Sequence, residues 1–493
     1  MFLLFFIAGA FSQNSQPAKT PPLIQSAIGL IEKQQFNEAE ATLREFLKKN
    51  PSSIDAKFLL GTLLTQTDRL DEGIRILEDV LKVNPTHLQT NYNLALIYSS
   101  KGDYKRAIPY LERAAGISPQ NKTPKTDDAA LLITLARAYV ADKHEAQAEK
   151  IISLVEKTAQ NDIKIEFTLG LMFAEIGRYE RAASVFEKLN RERPNIFDVL
   201  YNLGVAYYNI DRLEDSTKVL LQALNIDPNK AETYYRLGLI SSARNGSDAA
   251  VSYWLKALEL KPDYHEANFL LGEELLKNKK ISGALPFYQR AVQLQPENIL
   301  YQMRLGVAYF RLQEYSEARN VFEGVLAKHP DNVNFNYLVG YLDRAEGFYD
   351  EAIARFERVL KTNPNNPDVL ANLGYIALER GETAKAEQLL RDSIKIDPKN
   401  FPAYYDLGRL LSKEKKYGEA LPILETGAYL NKQDPGIRYQ LFIAYSRLKQ
   451  KDKADANFAE FKRLEEIYDK TGAAATSNDK AVEIPPSVVQ EKP

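Results

Sequence analysis

The chain has 493 residues, of which 45% are hydrophobic and 26% charged, an ordinary balance for a soluble protein. Its formal net charge of −2 leaves no excess of basic residues for a nucleic-acid face. The absence of cysteine excludes disulfides, thiolate metal sites, a cysteine nucleophile and lipid attachment through cysteine.

Residues 1–12 read MFLLFFIAGAFS. An apolar run from Phe2 to Ile7 leads into small residues Ala8 to Ala10 and the polar stretch Gln13 to Thr20. This is the pattern of a secretory signal peptide cut after Ala10 or Ser12, although no basic residue precedes the run. The run is too short to span a membrane, which takes about 20 apolar residues. Residues 1–19 are therefore expected to be a signal peptide with a short linker. That places the mature chain in the periplasm or outside the cell; without cleavage it would be cytoplasmic.

From Thr20 onward one frame of 34 residues organises the chain. Proline recurs at Pro194, Pro228, Pro262, Pro296, Pro330, Pro364 and Pro398. Glycine precedes each by 24 residues, at Gly170, Gly204, Gly238, Gly272, Gly306, Gly340 and Gly374. Twelve residues after each glycine stands a small residue, as in Ala182, Ser216 and Ala250. A fixed period of this length marks a solenoid.

Thirteen repeats fit the frame, beginning at Thr20, Ile54, Leu88, Ala129, Ile163, Phe197, Ala231, His265, Ile299, Val333, Pro367, Phe401 and Pro435. In the repeat from Phe197, Leu200, Leu203, Val205 and Tyr207 form one apolar face, and Val219, Leu220, Ala223, Leu224 and Ile226 form another. The polar turn Asn209 to Arg212 separates them, and Asp227-Pro228 ends the unit. Each unit is thus helix, turn, helix, turn. Helices of this length are marginal alone in water, so stacking must supply their burial. The glycine is expected where the two helices of a repeat cross, facing the small residue twelve later.

The chain resembles the tetratricopeptide repeat family, whose motif is this set of small and apolar positions in a 34-residue helix pair. The resemblance implies an all-α fold: an α-solenoid whose repeats wind into a right-handed superhelix, with the first helix of each lining a concave groove. One insertion, residues 122–128 (KTPKTDD), interrupts the frame. The expected organisation is repeats one to three over 20–121, the inserted loop as a flexible joint, and repeats four to thirteen over 129–468. In the last repeat Phe442 occupies the small position, so that pair must open or shift; the long charged helix after it suits a C-terminal cap. Residues 469–493 lack helical period, contain Pro485-Pro486, and are expected to be a disordered tail.

Motifs of chemistry are missing. The four histidines, His87, His144, His265 and His329, are far apart and lie at turns. No phosphate loop, dinucleotide fingerprint or nucleophile elbow occurs. No cofactor, metal or catalytic residue is expected, and the chain is read as non-enzymatic.

Recognition should fall on first helices, at positions the scaffold leaves free. The fifth position of the frame is rich in aromatics, among them Tyr201 and Tyr235, and scaffold packing competes with partner contact there. Tyr208, Phe310, Tyr341 and Tyr375 sit deeper in the expected groove. Arg236, Arg304, Arg311, Arg344 and Arg409 fall on inner positions, along with Glu273, Glu379 and Asp406. Such arginines suit a carboxylate-bearing segment of a partner protein or peptide. The subtype that clamps the C-terminal carboxylate of heat-shock chaperones needs lysine at position five and asparagine at position nine. Asn202 and Arg236 match two of its places, but Glu232 stands where a lysine is wanted.

The expected function is a protein-binding scaffold, in the bacterial envelope if the leader is cut, serving assembly, secretion or polysaccharide export. The alternatives are a self-associating structural protein and an accessory subunit that recruits a separately encoded enzyme.

Overall fold

The fold is given by a computed structural model, which describes residues 21–67, 69–158 and 162–471. The expected leader at 1–19 and nearly all of the expected tail at 469–493 lie outside the described residues. Among the described residues the chain forms 26 α-helices in thirteen pairs, and no strand. In twelve of the thirteen pairs the first helix begins on the residue that opens the repeat in the sequence frame; the first pair begins at Pro22 rather than Thr20.

Contacts divide the chain into two units, Met1–Thr233 and Tyr234–Pro493. Within each unit the second helix of most repeats packs on the first helix of the next, as Tyr179–Glu192 does on Phe197–Asn209. First helices also touch across repeats. In the first unit, Ala129–Ala141, Ile163–Glu175 and Phe197–Asn209 touch in succession. In the second, Val333–Glu346, Pro367–Glu379, Phe401–Lys413 and Pro435–Arg447 do the same. A first helix therefore has neighbours on most sides. Helix Val333–Glu346 is buried without a break from Phe335 to Asp343, whereas its partner Tyr349–Thr362 buries only Ala352, Phe356 and Val359. The second helix is the amphipathic layer, with one stripe in and the rest in solvent.

Each glycine of the frame receives a large side chain from sixteen residues on. A Cβ on Gly204 would lie 2.6 Å from the Leu220 side chain, and one on Gly272 would lie 2.8 Å from the Tyr288 ring. Gly238 meets Trp254 and Gly306 meets Phe322 in the same way. The small residue twelve later closes the crossing from the other side. In the last repeat two rings replace the ring on glycine, and Phe442 lies 4.8 Å from Phe458 between centroids.

Among the described residues, the turns inside the repeats carry a residue at positive φ at one recurring place in the frame. Glycine fills it at Gly102, Gly177, Gly347 and Gly381, but Lys143, Asp211, Asn245, Lys279, Gln313, Lys415 and Lys449 hold the same conformation. This is the left-handed residue that ends the first helix, and a non-glycine side chain there is strained.

The inserted stretch is hydrogen-bonded to what precedes it. Lys125 N–H donates to the Ala115 carbonyl at 2.8 Å, and the Asn121 side chain donates to the Thr123 carbonyl at 2.8 Å. Across it, helices Tyr104–Ala114 and Ala129–Ala141 pack together, and the Tyr139 hydroxyl donates to Glu112 at 2.7 Å. Helices thus pack on both sides of the inserted stretch, and the division between units falls at Thr233–Tyr234.

Candidate functional site

The aromatic fifth position is buried in some repeats and half-buried or exposed in others. Phe58, Tyr92, Phe269 and Tyr337 are buried. Phe269 lies 4.6 Å from Tyr301 and 6.1 Å from Tyr288, and Tyr337 lies 6.0 Å from Phe356. Burial raises the Tyr337 hydroxyl far above its ordinary value. Tyr201 is half-buried and stacks on Phe197 at 6.0 Å. One helical stretch further on, Tyr208 is half-buried on the same first helix of the first unit.

The remaining sequence candidates belong to the second unit. Tyr235 is half-buried against Tyr264 at 4.8 Å, and its carbonyl accepts from the Trp254 indole at 3.2 Å. The Arg236 guanidinium lies 5.8 Å from the Tyr235 ring. Arg304 is nearly enclosed and ion-paired to Glu273 at 3.1 Å. Glu273 also accepts from the Tyr288 hydroxyl at 2.5 Å, so Arg304 is committed inside the fold. Arg311 is exposed.

Four candidates come together on consecutive first helices. Tyr341 and Arg344 lie on Val333–Glu346, Tyr375 on Pro367–Glu379, and Arg409 on Phe401–Lys413. The Arg344 guanidinium lies 4.5 Å from the Tyr341 ring and 4.5 Å from the Tyr375 ring. The two tyrosines share position nine of adjacent repeats, and Arg344 stands three residues after the first, which puts it between them. Phe310, which is buried, supports Tyr341 from below in a T-shaped contact at 5.7 Å. Phe310 and Tyr341 thus offer little ring surface of their own; their burial holds Arg344 in place.

Beside this stack, Arg409 is ion-paired to Asp406 at 3.1 Å and to Glu379 at 3.1 Å. Asp406 is buried, and desolvation pushes its carboxyl up to about 6, with Arg409 and Arg344 pulling down and Glu379 pushing up. Tyr375 is pushed up to about 12, by burial first and then by Glu379. The pairing of Arg409 with Glu379 was not anticipated from sequence. Its signal is a carboxylate 30 residues ahead of an arginine, one repeat less one helical turn, and Glu273 precedes Arg304 by 31.

A cleft of about 600 Å³ lies elsewhere in the unit, lined by Arg319, Glu323, Asp343, Glu346, Phe348 and Arg355. Its charges answer each other, Arg319 pairing with Asp343 at 2.6 Å and with Glu346 at 2.7 Å. Among the described residues no helix is long and apolar enough to cross a membrane.

Comparison with known proteins bears on the repeat. Family models described as tetratricopeptide repeat match residues 30–96, 99–166, 174–244, 275–340 and 343–411, and further ones match 235–299 and 401–434. A search of curated proteins found no match. Among solved structures, the Cut9–Hcn1 hetero-tetramer of the APC/C is similar at 14% identity, covering 91% of this chain and 94% of that one, with a TM-score of 0.44. Yeast Tom70 is similar at 14% identity over 87% of this chain and 96% of its own, with a TM-score of 0.35. A repeat protein from Parabacteroides merdae is similar at 16% identity over 51% of this chain and 97% of its own, with a TM-score of 0.41.

Proposed function

The chain belongs to the tetratricopeptide repeat family, and from that premise we propose that it is a non-enzymatic scaffold holding a segment of a partner protein against its first helices. The observation that carries this reading is where the half-buried aromatics and arginines sit. Tyr208 lies on a first helix of the first unit, and Arg344, Tyr375 and Arg409 lie on successive first helices of the second. Tyrosine and arginine are the side chains from which interface anchors are most often made. Long helices of a partner and extended peptides both fit a row of parallel helices.

Site-specific photo-crosslinking tests it. A benzophenone side chain at Tyr208 or Tyr375 should capture a partner peptide in cells, and the same group at Tyr429 or Leu255, exposed on second helices, should not. Capture from the second helices alone would sink the reading. The leader-like residues 1–12 support a place in the bacterial cell envelope, in assembly, secretion or polysaccharide export. Amino-terminal sequencing of the mature chain, finding Met1 intact, would remove that place.

A further inference from the structure

Arginines on the first helices of the second unit are held in different ways. Arg304 is answered by Glu273, and Arg409 by Asp406 and Glu379. Arg344 is held by rings instead. Its Nε, like that of Arg304, is buried without a hydrogen-bond partner, and among the described residues no carboxylate closes an ion pair on it, although its charge reaches Asp406. Its neighbours are two tyrosine rings, each with its centroid 4.5 Å from the guanidinium carbon. Tyr337, fully inside, feels the same positive charge.

Stacking of this kind fixes the plane of a guanidinium without using its donors. An arginine held by ring faces has already given up its rotamer freedom, and its terminal N–H groups stay available. A carboxylate reaching it would form the paired charge-assisted bonds that this geometry favours, in surroundings drier than bulk water. The buried Asp406 nearby is committed to Arg409 and does not serve.

We propose that Arg344, clamped between Tyr341 and Tyr375, is a receptor for an aspartate or glutamate side chain of the partner segment. This deepens the scaffold reading above and rests on it. The receptor differs from the chaperone clamp in its parts, being one planar cation between two rings rather than a set of lysine, asparagine and arginine.

The test uses the full chain and a labelled, capped hexaglutamate peptide, with hexaglutamine as its neutral counterpart, in fluorescence anisotropy at about 50 mM salt, where charge pairing is little screened. Hexaglutamate should bind and hexaglutamine should not. Arg344→Gln should weaken binding by about tenfold, the scale of one charge-assisted pair. Arg344→Lys should fail to restore it, because an ammonium does not present a planar fork. Tyr375→Phe, which keeps the ring, should bind as the native chain does, and Arg311→Gln should change affinity by less than about twofold, as for an exposed charge.

Equal losses from Arg344→Gln and Arg311→Gln, or full binding by Arg344→Lys, would reduce the effect to general attraction and overturn the proposal. The native chain gives a second measurement that no misfolded variant can confuse: the side-chain Nε–H resonance of Arg344 should shift on adding hexaglutamate, and a resonance that stays still overturns the proposal. Partner capture at Tyr375 with hexaglutamate indifferent to Arg344 would end this inference and leave the scaffold standing. Hexaglutamate bound at Arg344 with no partner captured from first helices would support the receptor and end the scaffold reading.

Discussion

The hydroxyl of Ser216 donates to the carbonyl oxygen of Gly204 at 2.6 Å, across the crossing of the two helices of one repeat. Both residues are buried, so the approach has no slack. The glycine therefore does two things at once. It exposes its carbonyl to the facing helix, and it leaves room for the Leu220 side chain.

Adding a methyl group there should separate the helices. Gly204→Ala should destabilise the chain by about 1–3 kcal/mol, the range for overpacking a tight core. Gly418, which has open space around its Cβ position, is the control, and Gly418→Ala should be neutral or slightly stabilising. Urea midpoints followed by helical ellipticity would check both, and equal effects would refute the crossing argument.

The turns hold a second, independent prediction. Lys279 and Lys415 sit at φ of 60° and 61°, where Gly347 and Gly381 stand in other repeats. Lys279→Gly and Lys415→Gly should each stabilise the chain by about 1 kcal/mol through relief of left-handed strain. A drop in midpoint would mean that the lysine side chains matter more than the backbone.

Asn400 caps helix Phe401–Lys413 and reaches back one repeat. Its Oδ1 accepts from Ala403 N–H at 3.1 Å, while its Nδ2 donates to Asp368 at 2.9 Å. Asn400→Ala should cost about 1 kcal/mol as a lost cap. Asn400→Asp keeps the cap but sets two carboxylates against each other, so it should be harmful at pH 7 and nearly harmless at pH 4. Melting at the two pH values decides.

Asp406 gives the chain a pH signature. Its carboxyl is raised to about 6, chiefly by burial, against about 3.9 in an unfolded chain. Between those values the folded state binds the extra proton, so this residue's contribution to stability falls as pH rises from about 4 to about 6, then levels. The size is about 2–3 kcal/mol, the span of a two-unit shift. Asp406→Asn should flatten that slope relative to the native chain in denaturant titrations across the window. An unchanged slope would mean that Arg409 compensates the charge fully.

Much of this architecture could be read from spacing alone, because glycine, proline and small residues each answer a steric demand that recurs once per unit. Twelve first helices begin on the residue that opens their repeat. Tyr341, Arg344 and Tyr375 could each be singled out by frame position, but their stacking on one another could not. What spacing did not carry was commitment. Arg304 and Arg409 look like free inner arginines until Glu273 and Glu379 are found beside them, and those partners come from the preceding repeat at a distance no local pattern marks. Nor did the pattern mark Lys279 as left-handed, because lysine has no intrinsic preference for that conformation and the neighbouring repeats impose it. Phe442, which was expected to make its helix pair open or shift, meets Phe458, a ring on a ring where others place a ring on glycine.

Side-chain hydrogen bonds such as the one between His265 and Tyr301, 36 positions apart, reach only to the neighbouring repeat. Within each unit the helix contacts run between neighbouring repeats. A load applied to the two termini would therefore pass through every unit in series, and each could yield without waiting for a distant strand or clasp to break. Stretched by a single-molecule trap, the chain should lengthen in many small, nearly equal, readily reversed steps rather than in one rupture. A protein built this way gives under tension and recoils, much as a spring does.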